Sequence, residues 1–215
     1  IDGTDDKVSF FITGYMLDES PSYAEYVRRA VNMGCDVGIH GYDHVNVYYE
    51  SQKKDASESV IAHEIGDLAA KYESVVGKKP QLFRPVGGGY NPTRDYGYPV
   101  ILWTVDSEDW MTWDKYALDE NGNWDRHHKL YDDDPAVKAY YTDLAVNEIV
   151  NEILGQIRPG DIVLMHDVFD ISRQAFAKIY PILKEQGYKL VTVSELLGIT
   201  PEEHHGDYFF STYFW

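Results

Sequence analysis

Short apolar runs alternate along this chain with segments of helical period. The run V-S-F-F-I predicts a buried strand over 8–12. A helix is expected over 22–33, opened by Pro21 and Ser22, faced by Tyr23, Tyr26, Val27, Ala30 and Val31, and closed by Gly34. A second strand, D-V-G-I, follows at 36–39, and then a longer helix over 57–76 that ends at Gly77. Ile61, Ile65, Leu68, Ala69, Tyr72 and Val76 form the inner face of that helix. Further strands are expected at 82–83, 100–105, 162–165 and 189–193, and further helices at 145–157 and 171–186. Strands that alternate with helices imply crossover connections and a parallel sheet. Their near-continuous apolar character implies cover on both faces. Either a parallel barrel or an open doubly wound sheet satisfies this, and six strands are too few for a full eight-stranded barrel.

Two stretches break the rhythm. Residues 111–143 carry Trp113, Tyr116, Trp124, Tyr131, Tyr140 and Tyr141 together with Asp132, Asp133 and Asp134, and read as an inserted aromatic and acidic lobe within a single domain spanning 1–215. The tail from Tyr208 to Trp215 is mostly aromatic and would be adhesive unless packed on the body. The 215 residues are 44% hydrophobic and 26% charged, enough for a real core, and no run approaches the roughly 18 apolar residues of a membrane span. The formal charge of −17 argues against nucleic acid and anionic membranes as partners. The lone Cys35 leaves the redox compartment open.

The candidate chemistry lies where the strands end. In parallel α/β folds, ligand and catalytic groups gather at the carboxyl ends of strands. The second strand runs into His40, Gly41, Tyr42, Asp43 and His44, and the third into Arg84 and Pro85. The fourth runs into Asp106, Ser107, Glu108, Asp109 and Trp110, and the fifth into His166 and Asp167. His40 and His44 are four residues apart, so one helical turn would aim both imidazoles the same way as half of a tetrahedral zinc site. His166 suits a general acid or base, and Asp109 could orient it. Arg84 is expensive to bury and implies an acidic group facing it. The pairs His127-His128 and His204-His205 are weaker candidates, and mid-helix His63 is most simply solvated. The D-x-N-x-N run at Asp119, Asn121 and Asn123 is a poor calcium loop, because Trp124 stands where such loops need Gly.

These residues resemble the polysaccharide deacetylase family, the NodB-homology domains of carbohydrate esterase family 4. H-G-Y-D-H from His40 to His44 is similar to the family's H-[ST]-x-x-H, and R-P-V-G-G from Arg84 to Gly88 to its R-x-x-Y-G. D-S-E-D-W from Asp106 to Trp110 matches D-x-x-D-W, and V-L-M-H from Val163 to His166 resembles L-x-L-H. The likeness spans Val8 to about Leu197. It implies a distorted parallel (β/α) barrel. The family's first motif, T-F-D-D-G, belongs one βα unit before the 8–12 strand, so the first strand is expected to be missing from this chain. With that motif would go the catalytic base and a third metal ligand. Asp5 and Asp6 precede the wrong strand and take neither role. Gly41 departs from the family's Ser or Thr, and Gly87 from its Tyr.

The implied activity is metal-dependent removal of acetyl groups from a polysaccharide, most simply N-deacetylation of a polymer containing N-acetylglucosamine, such as peptidoglycan or a chitin-like chain. The metal would be Zn2+ or Co2+, with His40 and His44 as ligands. Arg84 would hold the base, the Gly87 amide would meet the oxyanion, His166 paired with Asp109 would protonate the leaving group, and Trp110 and Leu164 would wall the acetyl pocket. Acetylxylan O-deacetylation and a non-catalytic carbohydrate-binding relative are the alternatives. The substrate class places the protein outside the cell or at its surface.

Overall fold

The computed structural model describes residues 3–124, 129–199 and 209–210. The pairs His127-His128 and His204-His205, and the aromatic tail apart from the backbone of 209–210, lie outside the described residues. In chain order the elements are β1 (Ser9–Ile12), α1 (Gly14–Glu19), α2 (Pro21–Asn32), β2 (Asp36–Ile39), β3 (Tyr48–Tyr49), β4 (Lys54–Asp55), α3 (Glu58–Ile61) and α4 (Leu68–Val76). There follow β5 (Val100–Ile101), β6 (Val105–Asp106), α5 (Asp109–Ala117), α6 (Pro135–Gln156), β7 (Val163–Leu164), α7 (Asp170–Glu185), α8 (Val193–Leu197) and β8 (Phe209–Phe210). The described residues divide into two compact units, 3–102 with 190–199 and 209–210, and 103–124 with 129–189.

In the first unit β1 and β2 pair in parallel, from Ser9 opposite Asp36 to Ile12 opposite Ile39. Phe83 then bridges Ile39 and Val100, and β5 pairs in parallel with β8. The expected strand at 82–83 is thus reduced to one bridged residue. Pro80 and Pro85 flank it and have no N–H to extend a ladder. Ile12, Val27, Val37, Ile39, Ile61, Ile65, Leu68, Tyr72, Phe83 and Val100 form the core of this unit. The long helix expected over 57–76 is interrupted: α3 passes into a π-helical turn, Ala62–Asp67, before α4.

The strand expected over 189–193 does not form. The Leu190 carbonyl accepts from Lys7 N–H, but side chains take three amides of the segment and its end: Asp6 accepts from Leu190 N–H, Ser9 from Val193 N–H and Asp36 from Ser194 N–H. Thr192 then caps α8 by accepting from the Glu195 amide at 3.1 Å.

In the second unit β6 and β7 pair in parallel, Val105 opposite Val163 and Asp106 opposite Leu164. The strand expected at 100–105 splits between the units, because Ile101 N–H bonds Phe83 whereas the Thr104 and Val105 amides both bond the Ile162 carbonyl. The helix expected at 145 starts instead at Pro135. Asp134 caps it by accepting from Ala136 N–H at 2.8 Å, and Pro135 fits the first turn, where no N–H is needed. Ala145, Val146, Ile149 and Ile153 of α6 and Ala175, Ile179 and Leu183 of α7 are buried. The stretch 111–143 contains most of α5, a 3-10 turn at Lys129–Tyr131 and the start of α6. Asp119 spends one oxygen on the amides of Asn121 and Asn123, closing a tight turn between Leu118 and Trp124.

Candidate active site

The end of β2 delivers His40 into a loop rather than a helix. A helical turn does not carry the His40–His44 spacing. The chain instead turns at Gly41 (φ 94°) and at His44, itself left-handed at φ 61°. The two imidazole centroids still come to 5.0 Å, edge to face. His40 Nδ1 lies 2.7 Å from the Arg84 carbonyl oxygen, which can only accept, so Nδ1 carries the proton and the ring's tautomer is fixed. The loop is gripped from several sides. The first amides of α1 donate to it, Gly14 to the Gly41 carbonyl and Tyr15 to that of Tyr42. The Tyr42 hydroxyl donates to Asp18 at 2.6 Å, which pushes its pKa up to about 12.

Arg84 follows Phe83 and is 7% exposed. Its Nε and Nη2 donate to the carbonyls of Ile101 and Leu102, each at 3.3 Å, and its guanidinium stacks 4.2 Å over the Phe11 ring. Burial lowers its pKa to about 10, which still leaves it cationic at neutral pH. The turn after Pro85 runs through Val86–Gly88 with Gly87 left-handed at φ 61°. That conformation explains a glycine where the family carries Tyr.

In the second unit β6 feeds α5, whose first residue is Asp109, fully buried. Asp109 Oδ1 lies 2.7 Å from His166 Nδ1, and Oδ2 accepts from the His166 backbone N–H at 2.7 Å and from the Ser172 hydroxyl at 2.6 Å. Burial raises this carboxyl's pKa, but the bonds from His166 and Ser172 outweigh it, and the net shift is downward. The carboxylate therefore keeps Nδ1–H on the ring and fixes its orientation. Phe169 stacks on Trp113 at 5.2 Å and lies 6.0 Å from the His166 ring. Leu164 is buried and Trp110 is 44% exposed.

Two contributors, Ser172 and Glu64, were not singled out from the sequence, and a third, His63, was read only as a solvated residue. Ser172 is an ordinary polar residue of an amphipathic helix, and nothing in its spacing marks it. His63 is not simply solvated: its two ring nitrogens face Asp67 at 2.7 Å and Asp43 at 3.1 Å. Glu64 is 1% exposed, and an acidic residue beside Ile61, Ile65 and Leu68 on an apolar face was a readable signal.

The polysaccharide deacetylase family model matches residues 3–99. A peptidoglycan-N-acetylglucosamine deacetylase of Bacillus cereus is 31% identical over 201 residues, covering 89% of this chain and 75% of that protein. The solved structure of the peptidoglycan deacetylase PdaC from Bacillus subtilis is 26% identical, covers 90% of this chain and 77% of its own, and superposes with a TM-score of 0.66. A bifunctional xylanase/deacetylase of Pseudobutyrivibrio xylanivorans is 27% identical, and this chain spans only 27% of its length. The chain belongs to the polysaccharide deacetylase family and has its mixed α/β NodB-type barrel fold. Among the described residues no helix is long and apolar enough to cross a membrane.

Proposed function

We propose that this protein removes acetyl groups from the N-acetylglucosamine of peptidoglycan at the cell wall or outside the cell. The observation that carries the reading is the Asp109–His166 pair, a buried carboxylate that fixes the tautomer of an imidazole at a strand end. The substrate follows from the peptidoglycan-acting relatives. Residues 1–215 act as one catalytic domain, with 111–143 as a lobe outside the family motifs.

The donor set suits a divalent cation, zinc first and cobalt as a substitute. His40 and His44 are imidazoles with adjacent rings, and the tautomer of His40 is set by a carbonyl. When bound, the cation supplies Lewis acidity at the acetyl carbonyl. The chain's own groups do the rest. Arg84 contributes a fixed, desolvated positive charge that orients a carboxylate base. The Gly87 amide donates to the oxyanion as it develops. Trp110 and Leu164 wall the acetyl methyl. In the reaction the water would give its proton to that carboxylate base, which the family's first motif would supply, as its oxygen bonds the acetyl carbon; the carbon–nitrogen bond breaks, and the amine nitrogen takes a proton from His166 Nε2 as acetate leaves.

Acetylxylan esterase activity is the second reading, favoured by the xylanase/deacetylase relative. An alkoxide leaves more easily than an amine, so dependence on His166 would then be milder. Acetate release by the whole protein from acetylated peptidoglycan and from acetylated xylan tests the choice. Release from xylan alone would refute the N-deacetylase reading.

A further inference from the structure

The loop that carries His44 is held by a residue outside the family motifs. Glu64 projects from the π-helical turn Ala62–Asp67, flanked by the buried Ile61 and Ile65. A π turn displaces side chains from the helical register and is frequent at functional sites. Here it carries the carboxylate to the loop. Oε1 accepts from the Asp43 N–H at 3.2 Å and Oε2 from the Val45 N–H at 3.1 Å. Those two amides flank His44 on either side. His44 has the left-handed backbone that residues with side chains rarely adopt. A buried carboxylate is costly unless donors meet it, and two amides do so here.

Gly41 belongs to the same arrangement. A Cβ there would lie 2.6 Å from Glu64 Oε2 and 3.3 Å from Val86 Cγ2, and Gly41 itself has φ 94°. The position where the family carries Ser or Thr is thus glycine because the Glu64 carboxylate fills the adjoining space. A second contact reinforces the first, since His63 Nε2 meets the Asp43 carboxylate from the same turn. Asp43, His63 and Glu64 lie close enough for a metal cluster. However, each Glu64 oxygen already receives an amide, and each His63 nitrogen already faces a carboxylate. The trio is built as a clamp.

We propose that Glu64 is a positioning residue for metal binding: by holding the Asp43 and Val45 amides it fixes His44 in the conformation that ligates the cation. The inference rests on the reading of His40 and His44 as metal ligands. The experiment is a zinc titration of the metal-free whole protein against a competing chromophoric chelator, with the visible absorption of the cobalt form as a second readout. Glu64→Gln keeps the shape but turns an NH2 toward one of the two amides. It is expected to weaken zinc binding about 10- to 100-fold and to change the cobalt spectrum. Leu68→Ala, on the same helical face, removes packing only, so it should lower the unfolding temperature while keeping wild-type zinc affinity.

Wild-type zinc affinity in Glu64→Gln, or an equal loss in Leu68→Ala, overturns the proposal. Should Glu64→Gln fail to fold, Gly41→Ala presses on the same carboxylate from the loop side, and unchanged zinc affinity there overturns it equally. His44→Ala separates the two levels. If that variant binds zinc like wild type, the metal reading itself falls. If it loses zinc while Glu64→Gln does not, only the role of Glu64 falls.

Discussion

Replacing Asp109 by Asn attacks the proton-delivery step with almost no change in volume. The wild-type carboxylate receives three donors, the backbone N–H and Nδ1–H of His166 and the hydroxyl of Ser172. An amide has one acceptor oxygen and an NH2, so at least one donor loses its partner and the NH2 faces another N–H. Hydrogen bonds to charged groups contribute about 1.5–3 kcal/mol each, and a buried donor left unsatisfied costs about 1–3 kcal/mol. The ring escapes part of this cost by adopting the other tautomer, in which Nδ1 accepts from the Asn NH2, but without a carboxylate at Nδ1 the doubly protonated ring that must donate from Nε2 is no longer stabilised. A loss of roughly 3–5 kcal/mol in the transition state is about 10²- to 10⁴-fold in rate at 1.36 kcal/mol per decade. The assay is acetate release by zinc-loaded Asp109→Asn protein, with metal content measured on the same sample. A fall in kcat of that size at unchanged zinc content is expected. Wild-type turnover would refute the role of the pair, and loss of zinc together with turnover would show that Asp109 acts elsewhere.

The remaining predictions concern the same two units. His40→Ala and His44→Ala should each bind zinc at least about tenfold more weakly with the fold retained, as measured by titration and circular dichroism. Ser172→Ala removes one donor from Asp109 and should lower kcat several-fold, in line with about 1 kcal/mol for a typical hydrogen bond. Because folding lowers the carboxyl pKa of Asp109 from 3.8, the charged form contributes stability that is present above that pH and lost as pH falls through the folded value. The stability advantage of wild type over Asp109→Asn should therefore shrink in denaturant melts as pH drops below about 4. Thr192→Ala should cost about 1 kcal/mol in the same melts, the usual loss for a helix cap.

Much of this was legible in the sequence, and the exceptions have physical causes. The strands ending in His40, Arg84, Asp106 and His166 were visible because buried parallel strands are apolar throughout and their polar ends stand out. The 189–193 segment carries strand-like residues, but Asp6 and Ser9 take the amides of Leu190 and Val193, and such side-chain acceptors leave no periodic trace. The start of α6 was misplaced because half of residues 135–144 are polar or aromatic and the small aliphatic ones among them make a weak stripe, whereas the Asp134-Pro135 cap that starts the helix is a local signal. The His40–His44 pair was found for a reason that does not hold, since a loop with two left-handed residues brings the rings together. Glu64 was overlooked although its place beside Ile61, Ile65 and Leu68 was readable; what periodicity could not show is that a π turn carries its carboxylate to the His44 loop.

The most direct test is the appearance of free acetate when the zinc-loaded whole protein meets N-acetylated peptidoglycan, run beside His166→Ala. The account predicts release by the native protein and a loss of at least about a hundredfold in the variant, the scale of a single acid–base catalyst, with equal zinc in both. Equal rates from the two proteins, or no acetate from the native protein with zinc bound, would contradict it.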